Sequence, residues 1–208
     1  MVTDSIYSKY RDERYCEFVS RLSTTDNLPR AGIRIPILRQ LAKTVSFGDI
    51  DIKYHEDVIL KGFSLAQEKV PFIDKIERFN NLLPYLSSWD QTDTIQSAFK
   101  PKKKDTVSMC EYFESLLTNK ELFTRRIAII WIMSNRNTFG WEKALNSIIQ
   151  ADSENEYYIM MAVAWALSVF YIDNPSIIDR FSEVSETTKK KAIQKIKESN
   201  RYKGDIIY

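Results

Sequence analysis

The stretch "ELFTRRIAIIWIM", Glu121 to Met133, decides the fold class. Its centre, Ile127-Ala128-Ile129-Ile130-Trp131-Ile132, is rich in β-branched side chains. Read alone, it passes for a buried strand. Its surroundings argue for a helix. Apolar residues recur at helical spacing on both sides, and the chain has only 5 Gly and 6 Pro in 208 residues. A protein of many short strands needs turn signals more often than that. The stretch therefore reads as a buried helix, and the chain as all-α.

Working outward, Ile6, Tyr10, Phe18 and Leu22 predict one helix from about Asp4 until "STTDNLPRAG", 23–32, breaks the pattern. Pro36 suits the first turn of a second helix, "PILRQLAKTV". "FGDI" interrupts, and a third helix covers about His55 to Gln67. Pro71 opens a fourth, through Phe72, Ile76, Phe79 and Leu83, with Pro84 helping to end it. The segment at Trp89 begins another, with Ser87 or Ser88 as N-cap. Lys102 to Leu117 is next, followed by Glu121 to Met133. "NTFG" breaks the chain before a helix from Trp141. "IMMAVAWALSVFYI", Ile159 to Ile172, reads as a central buried helix. Asp173-Asn174-Pro175 caps the next, and Ser185 or Glu186 starts the last, which ends near Asn200 before a short tail at Gly204. About eleven helices in short loops predict a single-domain α-solenoid over residues 1–208, although no clean sequence repeat is visible.

Composition removes several classes of function. Hydrophobic residues at 44% and charged residues at 28% suit a soluble globular protein. The longest apolar stretch is shorter than the roughly 20 residues that span a bilayer, and the opening "MVTDSIYSKYRDERY" has no apolar core of a signal peptide. No membrane association is expected. Cys16 and Cys110 are isolated thiols, which fits a reducing, cytoplasmic setting. His55 is the single histidine, and "HEDVI" lacks a second one four residues on, so a zinc-protease pattern is absent. Neither a metal nor a cofactor is expected. The net charge of +2 gives by itself little support for nucleic-acid binding.

Chemistry concentrates in "LSSWDQTDTI", Leu86 to Ile95. Trp89 and Asp93 are four apart and share one helix face. An aromatic ring beside a carboxylate suits a cation. The structural alternative is that Asp90 complements the helix dipole, Asp93 pairs with an arginine and Trp89 fills the core. Arg125 and Arg126 precede seven apolar residues, so one of them points inward and needs a carboxylate or phosphate. An ion pair with Asp93 or Asp90 is the structural option. Trp165 lies in the most apolar helix, where a core role is the default, and Tyr157 begins that helix. Lys102, Lys103 and Lys104 fall near one helix start, and Lys189, Lys190 and Lys191 near another. Positive charge is unfavourable there unless a phosphate binds. A solvated face is the simpler reading.

Taken in order, these segments resemble the AlkD-like DNA alkylation repair family. "GIRIPILRQLAK", Gly32 to Lys43, resembles the family's G-V-R-x-P-x-L-R-x-x-A-K opening. "YHEDVILKGFSLA" follows, "WDQTD" resembles the W-x-x-x-D motif, "RRIAII" the arginine helix, and "YYIMMAVAWALS" the late tryptophan helix. "KAIQKIKES" matches a closing helix. The resemblance implies HEAT-like repeats, a duplex-DNA partner carrying alkylated bases, a monomer, and glycosylase activity on N3-methyladenine and N7-methylguanine. It implies Trp89 and Asp93 as active-site residues, Arg126 as the family's arginine with Arg125 as the fallback, and Trp165 as the second tryptophan. DNA contacts would come from Arg125, Lys102, Lys103, Lys104, Lys189, Lys190 and Tyr157. After the late tryptophan, many active members carry a basic residue where this chain has Ala166-Leu167-Ser168-Val169. That departure makes a HEAT-like scaffold for DNA structure or a protein the alternative function.

Overall fold

A computed structural model of the protein describes residues 2–22, 25, 27–202 and 204. No strand occurs among the described residues, and the chain is all-α as expected. It divides into two compact units, Met1–Lys100 and Pro101–Tyr208. Within each, helices pack neighbour on neighbour in a solenoid-like manner. No helix is long and apolar enough to cross a membrane among the described residues.

The first unit contains α1 (Val2–Tyr7), α2 (Glu13–Ser20), α3 (Ile35–Leu41), α4 (His55–Gln67), α5 (Ile76–Leu82) and α6 (Trp89–Gln96). The single N-terminal helix expected from the apolar spacing is in fact two. The N–H groups of Tyr10 and Arg11 turn back onto the Tyr7 carbonyl, at 3.0 and 2.9 Å. Asp12 then caps α2, its carboxylate accepting from the Tyr15 N–H at 2.9 Å. A local side-chain acceptor offered the backbone an alternative to continuing the helix. Of the expected break at 23–32, residues 23, 24 and 26 lie outside the described residues.

The helix begun by Pro36 also stops early, at Leu41, and the chain turns as Thr44 N–H bonds to the Leu41 carbonyl at 2.8 Å. Helix α4 has the expected bounds and packs against α3, α5 and α6. Its approach to α6 is close at Gly62, where a Cβ would stand 2.8 Å from Ile95 Cγ2. A larger residue would push away the helix that carries Trp89. The expected helix from Pro71 to Leu83 is partly 3₁₀: short turns at Phe72–Lys75 and Leu83–Tyr85 flank α5.

The second unit contains α7 (Thr106–Ser115), α8 (Leu122–Ser134), α9 (Arg136–Phe139), α10 (Trp141–Gln150), α11 (Tyr157–Asp173) and α12 (Glu186–Glu198). The ambiguous stretch is helical, and Ile127 to Met133 are all buried. A helix enclosed on every side has no polar face, so its periodicity is invisible in sequence. Trp131 stacks on Phe113 with ring centroids 4.2 Å apart. Helix α11 packs against α8 and α12. "NTFG" is no simple break: Asn137 to Phe139 are helical in α9, and Gly140, at φ 98°, turns the chain into α10. The helix expected after Pro175 is 3₁₀, running over Pro175–Glu183, with the Asn174 side chain accepting from Ser176 N–H. Ser185 caps α12, its Oγ accepting from Thr188 N–H at 3.1 Å. Of the expected tail, residues 203 and 205–208 lie outside the described residues.

Candidate functional site

Trp89 and Asp93 line one hollow of about 290 Å³ in the first unit. Ser88 is the N-cap residue of α6, and the two side chains lie one turn apart on its exposed side. Arg30 and Asp90 line the same hollow, α2 supplies Tyr15 and Phe18, and the turn after it supplies Leu22. The volume is near the lower end of ligand-sized pockets. Both key side chains are half-buried. The Trp89 indole N–H reaches the Leu22 carbonyl at 3.5 Å, and Asp93 Oδ1 accepts from Thr92 Oγ1 at 3.0 Å. Burial raises the Tyr15 phenol above its ordinary value, so the ring enters the hollow as a neutral wall.

The neighbouring carboxylate, Asp90, has a different environment. Its Oδ2 accepts from Arg30 Nη1 at 3.0 Å and from His55 Nε2 at 3.1 Å, and its Oδ1 accepts from Ser88 Oγ at 2.5 Å. Arg30 and His55 are almost fully buried, with side chains 6% and 1% exposed. The amide of Gln91 is oriented by the Ser87 N–H, which donates to Oε1 at 2.9 Å. Its Nε2 therefore donates to His55 Nδ1 at 3.3 Å, which leaves the imidazole proton on Nε2, pointing at Asp90. This is not a Ser-His-Asp relay, because the carboxylate lies between the hydroxyl and the ring. Burial alone would raise the Asp90 carboxyl. The His55 ring, the Arg30 guanidinium and the Ser88 hydroxyl outweigh it and hold the group well below the usual carboxylate range. The arginine partner expected for Asp90 in the structural alternative is therefore Arg30, not Arg125 or Arg126.

Arg30 is fixed by the chain that follows it. The buried Glu56 carboxylate accepts from the N–H groups of Ala31, Gly32 and Ile33, at 2.7, 2.8 and 3.3 Å. Gly32 has φ 77°, and a Cβ there would stand 2.7 Å from the Asp12 carbonyl oxygen. Glycine is required by both backbone angle and space. His55 N–H bonds to the Pro29 carbonyl at 2.9 Å. The start of α4 thus anchors the loop that delivers the guanidinium to the floor of the hollow. Sequence reasoning did not single out Arg30, Glu56, Tyr15 or Phe18. The one available signal was Phe18 and Leu22, an apolar pair four apart on an otherwise polar segment.

The remaining site candidates lie in the second unit. Arg126, near the start of α8, is the inward-pointing arginine: it is buried, and its Nη1 donates to the Tyr158 carbonyl at 2.7 Å. Arg125 makes a two-pronged ion pair with Glu156, one bond at 2.7 Å. The guanidinium holds Glu156 below the usual carboxylate range. Trp165 is not sealed in the core. It is half-buried on a face of α11 with Tyr158, Met161 and Val169, while Val163, Ala164, Ala166 and Leu167 are buried. Tyr157 is exposed, its ring edge-on to Tyr158 at 5.4 Å.

Lys102, Lys103 and Lys104 are exposed and precede α7, as expected. Lys189 and Lys190 lie near the start of α12. They fall one turn inside α12, whose first turn already holds Glu186. Lys189 Nζ is 4.0 Å from that carboxylate, a surface contact worth little. The helix start is therefore less bare of negative charge than the lysine run alone suggested.

A family model described as DNA alkylation repair enzyme matches residues 7–198. No curated protein matches the chain. A match along nearly the whole sequence shows the family, and the protein belongs to the DNA alkylation repair enzymes, with a role in alkylation repair.

Proposed function

We propose that the protein is a DNA glycosylase, a single AlkD-like domain of HEAT-like repeats that releases N3-methyladenine and N7-methylguanine from double-stranded DNA. The observation that carries this reading is the carboxylate of Asp93, lining one hollow with Trp89. Alkylation at N3 or N7 makes the purine cationic and a good leaving group. The bond from C1′ to the purine nitrogen breaks with its electron pair going to the base. Positive charge grows on the sugar, water adds at C1′ and loses a proton. Asp93 stabilises the electron-poor sugar, and a carboxylate placed before the reaction needs no reorganisation during it. Trp89 attracts the cationic nucleotide through its ring face. Arg126 and Trp165 take the phosphate-holding and second-tryptophan roles. Arg125, Tyr157, Lys102, Lys103, Lys104, Lys189 and Lys190 supply DNA contacts. Water is the co-reactant, so the reading needs no metal or cofactor. Two free thiols fit a cytoplasmic monomer.

The test is incubation of the full chain with methylated duplex, followed by chromatography of free bases. Release of N7-methylguanine above the spontaneous rate is expected, falling by roughly 10²–10³ in Asp93→Asn. Circular dichroism of Asp93→Asn checks that the loss of release is not a loss of fold. Wild-type protein that releases no base defeats the reading. One observation favours a second: Arg125 and Arg126 are engaged by Glu156 and the Tyr158 carbonyl, and Ala166 to Val169 offer no cation. A scaffold that binds DNA structure without base release would bind equally well after Asp93→Asn.

A further inference from the structure

We propose that Phe18 and Leu22 form an apolar lip of the hollow that seats the deoxyribose of the target nucleotide and takes no part in reading its base. This rests on the glycosylase reading, in which the sugar that becomes electron-poor enters the hollow beside Asp93. Phe18 and Leu22 line that hollow together with Trp89. They are 59% and 51% exposed, whereas Val19 between them is buried. Spaced four apart, they extend one side of α2 into the turn after it. Val19 therefore serves cohesion, and the two exposed side chains leave apolar area that a ligand can cover. A deoxyribose within a DNA strand suits such a wall. Its 3′ and 5′ oxygens are esterified and it has no 2′-hydroxyl, so it presents C–H edges and no hydrogen-bond donor. Base edges carry donors and acceptors, with which neither Phe18 nor Leu22 can pair.

The lip is held along its length. Where α2 begins, the Asp12 N–H donates to the Gly32 carbonyl at 3.0 Å, and the Arg34 guanidinium pairs with the Asp12 carboxylate at 2.8 Å. One turn on, Cys16 Sγ donates to the Arg30 carbonyl at 3.4 Å. Beyond the helix, the Leu22 carbonyl accepts from the Trp89 indole N–H at 3.5 Å. Phe18 and Leu22 are thus placed before a nucleotide arrives, and seating the sugar costs little ordering of the protein.

The experiment compares two duplexes of one sequence. One is unmodified; the other has a tetrahydrofuran ring, a sugar without a base, at one position. The ratio of their dissociation constants from the full chain cancels effects on duplex binding in general. Wild-type protein is expected to favour the tetrahydrofuran duplex, because a sugar with no stacked base enters the hollow readily. Phe18→Ser should lower that preference by about five- to tenfold, the effect of losing a half-exposed phenylalanine as an apolar contact. Leu22→Ser should lower it less. Phe18→Leu should keep most of it, because the contact is apolar and not aromatic stacking. On methylated duplex, Phe18→Ser should lower release of N3-methyladenine and N7-methylguanine by one common factor. A preference unchanged in Phe18→Ser, unequal losses for the two bases, or a wild-type dimer that Phe18→Ser dissociates would each overturn the proposal. If Phe18→Ser fails to fold by circular dichroism, Leu22→Ser and Phe18→Leu decide: the first must lower the preference and the second keep it. Wild-type base release with a preference indifferent to both residues sinks only the lip. Wild-type protein without base release sinks the glycosylase reading, and a preference that still depends on Phe18 would keep the lip as a sugar contact of a DNA-binding scaffold.

Discussion

The interior under α6 and the interior around α8 solve opposite problems. Under α6, Ser87, Ser88, His55, Gln91 and Thr92 are buried, and the packing is a hydrogen-bonded network around one carboxylate. Around α8, Ile127 to Met133 and the buried face of α11 make a hydrocarbon core, with Phe113 stacked on Trp131. A buried polar network adds less stability than apolar packing of the same volume, and every unpaired member is costly. Its gain is fixed geometry. The region beneath α6 orients groups under a hollow, and the region around α8 supplies cohesion.

That contrast can be broken from either side. The largest expected effect is in the hydrocarbon core: Trp131→Ala should cost about 3–5 kcal/mol, measured by denaturant unfolding. A loss below about 1 kcal/mol would show that the second unit is not held by its apolar packing. Next, Asp90→Asn should cost about 1.5–3 kcal/mol at neutral pH, because the nearly buried Arg30 and His55 lose the charged acceptor they share. This term has a defined pH window. The folded-state carboxyl is depressed, so its contribution is complete above the unfolded value of about 3.9 and fades as pH falls through the lower folded value. The gap between wild type and variant should be constant from pH 7 to about pH 5 and shrink in stronger acid. A gap that widens in acid would contradict the assignment.

Gly62→Val tests the seating of α6 on α4. Overpacking against Ile95 should cost about 1–3 kcal/mol and also lower any Asp93-dependent base release, because the helix carrying Trp89 must shift. Stability lost with release unchanged would separate the hollow's geometry from the helix contact. The smallest effects belong to the exposed lysines. Lys103→Ala and Lys190→Ala should each weaken duplex binding by a few-fold and lower the slope of log affinity against log salt by about one. An unchanged slope would remove that lysine from the DNA contacts.

Legibility in the sequence followed the range of the interactions. The bounds of α4 and the shared face of Trp89 and Asp93 come from spacing within one helix, and the structure has both. The break between α1 and α2 was missed, because the apolar residues Ile6, Tyr10, Phe18 and Leu22 continue across a turn that a single aspartate imposes. For Trp165, composition offers only a core role by default and the resemblance alone sets it apart, because its helix is apolar on all sides and composition does not reveal which face the fold leaves uncovered.

The sequence by itself determined an all-helical chain, the family to which it belongs, and the pairing of an indole with a carboxylate one turn later. Each is written in local order, in spacing, caps and motif succession. Only the tertiary structure decided what surrounds Asp90. Arg30 reaches Asp90 across 60 positions and His55 reaches it across 35, and nothing in the chain between them encodes the meeting. Contacts made by folding back over such distances depend on how helices pack, and packing is fixed by the shapes of many side chains at once rather than by any one stretch.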